Sequence, residues 1–294
     1  MTQVAPLPYL AGCYRHSGAP FVRGEGCYLE DEGGRRFLDL GAGVAVSALG
    51  HAHPRLVSAI TDQAQKLLHV SNLYRNPAVL GAASRIATAT GMGRVFLSNS
   101  GAEAIEAALK LARRWFQTVK GEKRYRFVCA ERSFHGRTFG ALSSTGQEKY
   151  HQGFEPLVPG FSFVPYGSVE EMEAAVDHET AAILLEPLQG EGGVVTPPPG
   201  YLQRIREIAD SCGCLLIFDE IQTGVGRTGH FLAQQGEGVQ ADIVTLAKGL
   251  AGGLPLGAMV SQEFLAEGLV PGAHASTFGG NPLAAAIGKR SIEL

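Results

Sequence analysis

Apolar residues in this chain follow two alternating rhythms. Short apolar runs at 94–98, 125–130, 139–144, 161–165, 181–185, 214–219, 243–247 and 256–260 read as buried strands. Between them, residues 54–69, 77–90, 101–119, 168–176 and 199–212 carry apolar positions at helical spacing and predict helices. The alternation predicts an α/β fold: one large domain, with a mostly parallel sheet between helices. In such sheets ligands gather beyond the carboxyl ends of the strands. Residues 1–50 are richer in glycine, with short alternating stretches such as Tyr28–Glu30 and Arg36–Leu40. They are read as an amino-terminal arm and short strands, with 51–287 as the large domain and 288–294 as a divergent tail. A helix opening at Pro282 meets Gly288 early and is expected to be marginal by itself.

Composition narrows the class. The chain has 294 residues, 45% hydrophobic, with 39 glycines, which suits an α/β enzyme with many tight turns rather than a disordered segment. A net charge of −3 offers no basic field for nucleic acid or an anionic membrane. No apolar run is long enough to span a bilayer, and Met1–Pro6 lacks the pattern of a secretion signal, so a cytoplasmic location is expected. Five scattered cysteines, with Cys212 and Cys214 spaced C-x-C, read as buried or part-buried structural thiols. His51 and His53 read as a turn leading into the helix at Pro54; no metal site is expected.

The chemistry sits at strand ends. Asp242–Ala247 is an apolar strand that runs into Lys248 and Gly249, placing an amine at the edge of the core, where desolvation disfavours the ammonium. The strand Cys214–Phe218 likewise ends on Asp219 and Glu220. An amine that can take up an aldehyde and a carboxylate that can hold a proton on a ring nitrogen are what pyridoxal 5′-phosphate (PLP) requires. Ser100, Gly101 and Ala102 open a helix and can present amides and a hydroxyl to a phosphate, although by itself the segment is better read as a plain N-cap. Phe134 can lie on a flat ring and Arg137 can clamp a carboxylate; alone, the segment is a turn with a surface arginine. Glu186 and Glu191 cannot be separated by spacing. Gly224–Gly229 matches G-x-G-x-x-G but does not lie directly between a strand and its helix, so it is not read as a dinucleotide site.

Taken together and in order, the motifs Gly50–Pro54, Asn99–Ala104, Phe134–Thr138, Asp219–Gly224, Ala247–Gly249 and Ser276–Pro282 resemble the class III, or omega, PLP-dependent aminotransferases from about residue 15 to 287. That resemblance implies the PLP-dependent transferase fold, fold type I, with the small carboxyl-terminal domain largely missing here. It implies that Lys248 holds the cofactor and moves the proton, that Asp219 pairs with the ring nitrogen, and that Gln222 meets the ring hydroxyl. Phe134 would stack on the ring, and Ser100, Gly101 and Ala102 would hold the phosphate. Thr277 would complete that site from a partner subunit, making the protein a homodimer with a shared site. Arg137 and Ser276 would hold the substrate carboxylate. Glu191 resembles a glutamate that masks an arginine of the terminal domain. Phe134–Thr138 and Ser71–Tyr74 favour N-acetylornithine as amino donor, with 2-oxoglutarate as acceptor and N-acetylglutamate 5-semialdehyde and glutamate as products. Ornithine, succinylornithine, 4-aminobutyrate and a lysine precursor are alternative donors, and a PLP-binding remnant without turnover is a further alternative.

Overall fold

A computed structural model describes residues 9–14, 16, 18 and 20–294; the expectation for Met1–Pro6 lies outside them. Strands β1 (Phe21–Glu25), β2 (Tyr28–Asp31) and β3 (Arg36–Leu38) form a small antiparallel sheet. A left-handed turn, α1 (Ala42–Ala45), leads to the helices α2 (Pro54–Ala64) and α3 (Pro77–Thr90). The main sheet then builds from β4 (Arg94–Ser98), β5 (Arg126–Ala130), β6 (Phe161–Val164), β7 (Thr180–Leu185), β8 (Leu215–Asp219), β9 (Ile243–Leu246) and β10 (Gly257–Ser261). Interleaved with these strands are α4 (Gly101–Arg114), α5 (Phe139–Ser143), α6 (Val169–Ala175), α7 (Tyr201–Cys212) and α8 (Ala233–Gly236), and α9 (Pro282–Glu293) follows.

The strand order is β4-β10-β9-β8-β7-β5-β6, parallel throughout except for β10, which runs against both of its neighbours. The inner strands β7 and β8 are buried along their whole length, as expected for strands covered on both faces. Alternate residues feed two cores. Val128, Ile183, Leu216 and Val244 pack with α3, α7 and α9 residues such as Ile86, Ile205 and Ile287 on one face. Cys129, Leu184, Ile217 and Ile243 meet Ile105, Ala108 and Leu111 of α4 on the other. This is the α/β architecture that the two rhythms predict.

Local chemistry explains the matches and the misses. Helix α3 occupies residues 77–90 because Asn76 caps it, accepting from the amides of Ala78 and Val79, Pro77 presets its first turn, and Gly91 ends it at φ 69°. Helix α2 stops at Ala64, short of residue 69, where Leu67 and Leu68 face solvent and nothing packs on a further turn. The run 139–144 is not a strand: Phe139–Ser143 forms α5, whose first amides, of Gly140 and Ala141, donate to Glu106 Oε1. A short apolar run does not distinguish the two states by period. Helix α9, expected to be marginal by itself, forms here because Asn281 caps it and Gly288 lets it close on Leu256 and on the carbonyl of Leu250. Packing stabilises it, not length. The cysteine expectation fails at Cys13 and Cys27, which are exposed; Cys129 and Cys214 are buried. Among the described residues, no helix is long and apolar enough to cross a membrane.

Candidate active site

Because β8 and β9 are parallel neighbours, Asp219 and Lys248 emerge on the same edge of the sheet. Both line a cavity of about 440 Å³, together with Ser100, Gly101 and Ala102. Phe134, Arg137 and Gln222 line it too. Lys248 follows β9 with φ 48°, a left-handed conformation that costs a non-glycine residue energy; of the described non-glycine residues with positive φ it is the one that lines this cavity. Burial lowers its pKa, while Asp219, Glu191 and Glu186 pull the other way. The amine therefore sits in a neighbourhood that raises its neutral, nucleophilic fraction.

Asp219 is buried and its carboxylate is well held. One oxygen, Oδ1, accepts from the amide of Ile221 at 3.0 Å and from Thr245 Oγ1 at 3.2 Å. The other lies 2.7 Å from Nδ1 of His135. His135 is 1% exposed, and among the described residues its Nε2 has no hydrogen-bond partner. Sequence reasoning passed over His135 because a histidine between Phe134 and Gly136 carries no spacing signal; only the fold brings it to Asp219. The adjoining Glu220 has a different task. It accepts from the amides of Ala233 and Gln234 and from Thr223, fixing the start of α8, so of the two acids only Asp219 faces the cavity.

Glu186, left undecided by spacing, also lines the cavity. It accepts from the amides of Phe134 at 3.2 Å and Gly190 at 3.3 Å. Burial pushes its pKa from 4.5 up to about 7; His135 opposes this rise and Asp219 adds to it. The folded protein thus retains a proton that the unfolded chain releases. Stability from this group is complete below about pH 4.5 and is lost as pH climbs through about 7. The loss is at most about 3 kcal/mol. Glu186→Gln is expected to flatten this fall, measured as the difference in urea-unfolding free energy between pH 5 and pH 8. An equal fall in both proteins would disprove the assignment.

At the far side of the cavity, Ser100 caps α4 by accepting from the Glu103 amide at 3.2 Å, which leaves its O–H free to donate. A Cβ on Gly136 would lie 2.7 Å from Ala102, so that glycine is required by close packing, whereas one on Gly101 would press on the Ile221 side chain at 2.7 Å. Glu191 is exposed and does not line this cavity, although its charge reaches Lys248. Ser276 and Thr277 line a neighbouring cavity of about 370 Å³ that shares Asn99 with the first. Asn99 Nδ2 donates to Ser276 Oγ at 3.3 Å, and Asn72 Nδ2 donates to the carbonyls of Ser276 and Gly279. Within one chain, then, eight of the expected residues converge, while Glu191, Ser276 and Thr277 stand apart. Gly224–Gly229 forms turns after β8 and opens no helix. His51 pairs with Asp39 at 2.7 Å.

A partly desolvated amine, a buried carboxylate with one face open to the cavity, and amides at a helix start together form a donor set that fits PLP. The Aminotransferase class-III family matches residues 11–294. An acetylornithine aminotransferase of Aquifex aeolicus is 48% identical over 96% of this chain and 75% of its own length. One of Caldanaerobacter subterraneus is 51% identical over 95% of this chain and 71% of its own. The ornithine aminotransferase of Toxoplasma gondii superposes with a TM-score of 0.93 at 38% identity, covering 97% of this chain and 68% of that one. An amine transaminase of an uncultivated Pseudomonas species, solved with PLP bound, superposes with a TM-score of 0.90 at 30% identity, covering all of this chain and 74% of that one. The chain belongs to the class-III aminotransferases, and its cofactor is pyridoxal 5′-phosphate.

Proposed function

We propose that this aminotransferase moves the terminal amino group of N-acetylornithine to 2-oxoglutarate, giving N-acetylglutamate 5-semialdehyde and glutamate, as a cytoplasmic homodimer. The observation that carries the reading is a single cavity lined by Lys248, Asp219 and the exposed Arg137. The names of the relatives at 48% and 51% identity support the choice of donor.

PLP, when bound, supplies an aldehyde for the donor's amine and a ring that draws electrons from the neighbouring carbon. In this reading Lys248 Nζ would hold the cofactor and would carry the proton of the donor's amine-bearing carbon. The carboxylate of Asp219 keeps the ring nitrogen protonated, with His135 fixing its orientation. Gln222 would hold the ring hydroxyl and Phe134 would pack on the ring. Ser100, Gly101 and Ala102 bind phosphate at the positive end of α4, joined by Thr277 of the partner subunit. Arg137, joined by Ser276 on the same partner segment as Thr277, would grip the donor's carboxylate, so that the distal amine meets Lys248. Glu191, exposed outside this cavity, would act by masking an arginine that the family's terminal domain supplies.

The test is a donor panel with 2-oxoglutarate and glutamate detection. N-acetylornithine is expected to exceed ornithine, succinylornithine and 4-aminobutyrate in kcat/KM by roughly tenfold or more. A preference for any of the others would replace the proposed donor. In the same assay, Arg137→Lys keeps the charge but loses the planar fork. It is expected to raise the donor KM by about tenfold while leaving PLP affinity unchanged.

A further inference from the structure

Arg137 is held in an unusual way for a surface arginine. Among the described residues its guanidinium has no carboxylate within ion-pair distance, and it meets two aromatic rings. Its central carbon lies 3.9 Å from the ring centroid of Tyr150 and 5.5 Å from that of Phe134. The two rings stand edge to face, 5.8 Å apart at 77°. A guanidinium lying on a ring is attracted through its flat face, whereas its N–H groups all point outward in its own plane. A carboxylate partner would have the opposite effect, occupying the fork that a substrate carboxylate needs. The aromatic contact restrains the cation and leaves every donor available.

The surroundings hold the backbone on both sides of this contact. Thr138 Oγ1 and the Gly140 amide donate to Glu106 Oε1 at 2.6 and 2.8 Å, pinning the chain just after Arg137. Tyr150 closes the turn Glu148–Tyr150, and the next side chain, His151, bonds through Nε2 to the carbonyls of Leu142 and Thr145 at 3.0 and 2.7 Å. Gln147 Nε2 donates to the carbonyl of Ser133 at 3.0 Å, tying the turn back to the Phe134 segment. With both backbones fixed, the direction of the Arg137 side chain depends on the ring it lies against.

We propose that Tyr150 is a positioning residue for the donor: its ring face holds the Arg137 guanidinium with the N–H fork turned into the cavity. The inference rests on the reading above that Arg137 binds the donor's carboxylate. Tyr150 is not among the residues lining the cavity and acts through Arg137. The hydroxyl plays no part, so phenylalanine suffices at this position and an aliphatic residue does not.

The experiment measures binding without turnover. N-acetylnorvaline keeps the acetyl and carboxylate end of the donor and lacks the reacting amine. Its Kd for the PLP-loaded protein is read by calorimetry in wild type, Tyr150→Phe, Tyr150→Leu and Arg137→Lys, with PLP affinity and Tm measured alongside. Tyr150→Leu is expected to weaken binding by roughly three- to thirtyfold, the range set by a lost cation–π contact. Tyr150→Phe is expected to stay within about twofold of wild type, with PLP affinity and Tm held in both. If Arg137→Lys weakens binding and Tyr150→Leu does not, the positioning role is overturned and the carboxylate reading stands. If Arg137→Lys has no effect, the carboxylate reading itself fails. Equal losses in the phenylalanine and leucine variants, or a parallel loss of PLP affinity and Tm, would also overturn the proposal, the first by implicating the hydroxyl and the second by showing a purely structural role.

Discussion

Replacing Lys248 with alanine is expected to reduce turnover by at least about four orders of magnitude, because one substitution removes both the nucleophile and the proton carrier. Among the described residues Lys248 is the one lysine that lines the cavity, so no neighbouring amine can substitute for it. Its placement is specific in two respects: it lies one strand from Asp219, and its backbone is held at φ 48°. Borohydride treatment of the PLP-loaded wild type should leave the reduced label on Lys248, and peptide mapping reads the position directly. The alanine variant should take up no label, yet should retain measurable PLP affinity through the amides at the start of α4. A label on any other lysine would remove Lys248 from its role.

Asp219→Asn should have the second largest effect. The shapes of the two side chains match, so the contacts with Ile221 and Thr245 at Oδ1 can survive. What is lost is a buried negative charge, and asparagine offers His135 a different hydrogen-bonding edge. If that charge keeps a proton on the ring nitrogen, the donor half-reaction should slow by at least about a hundredfold, comparable to removing a preorganised electrostatic group. Stopped-flow single-turnover measurements check this, and a near-normal rate would rule out the role. A second variant, His135→Gln, is a useful companion because it keeps the charge and disturbs only its orientation.

The layout of the fold is legible from local signals because most of its signals are local. Continuous apolar runs at 181–185 and 214–219 identify central parallel strands, and Asn76, Pro77 and Gly91 bracket a helix by themselves. Lys248 and Asp219 are legible for a related reason: a charge at the end of a fully buried strand is expensive and calls for an explanation. What escapes is what only three dimensions bring together. His135 gains its meaning from a carboxylate more than eighty positions away, and Tyr150 from a guanidinium thirteen positions away that lies across a turn. Glu186 and Glu191 look alike in sequence; burial separates them, making one a titrating interior group and the other a solvated charge. The run at 139–144 is misread because the determinant of its helicity, the carboxylate of Glu106, belongs to another element.

The antiparallel strand β10 separates β4 from β9, so the helix start after β4 and the lysine after β9 face each other across a strand that joins the sheet after both in chain order. This has a consequence for the order of folding. A chain that has paired only sequence neighbours among β5 to β9 already contains Asp219 and Lys248 side by side, but it lacks the wall that carries Gly101. The two halves of the cavity meet only when the distant β4–β10 ladder closes, a pairing of high contact order that is slow for entropic reasons. PLP held from both walls is therefore expected to stabilise the closed sheet by mass action, which a rise in Tm on adding PLP checks. In that sense the cofactor would also serve this protein as a latch on its topology.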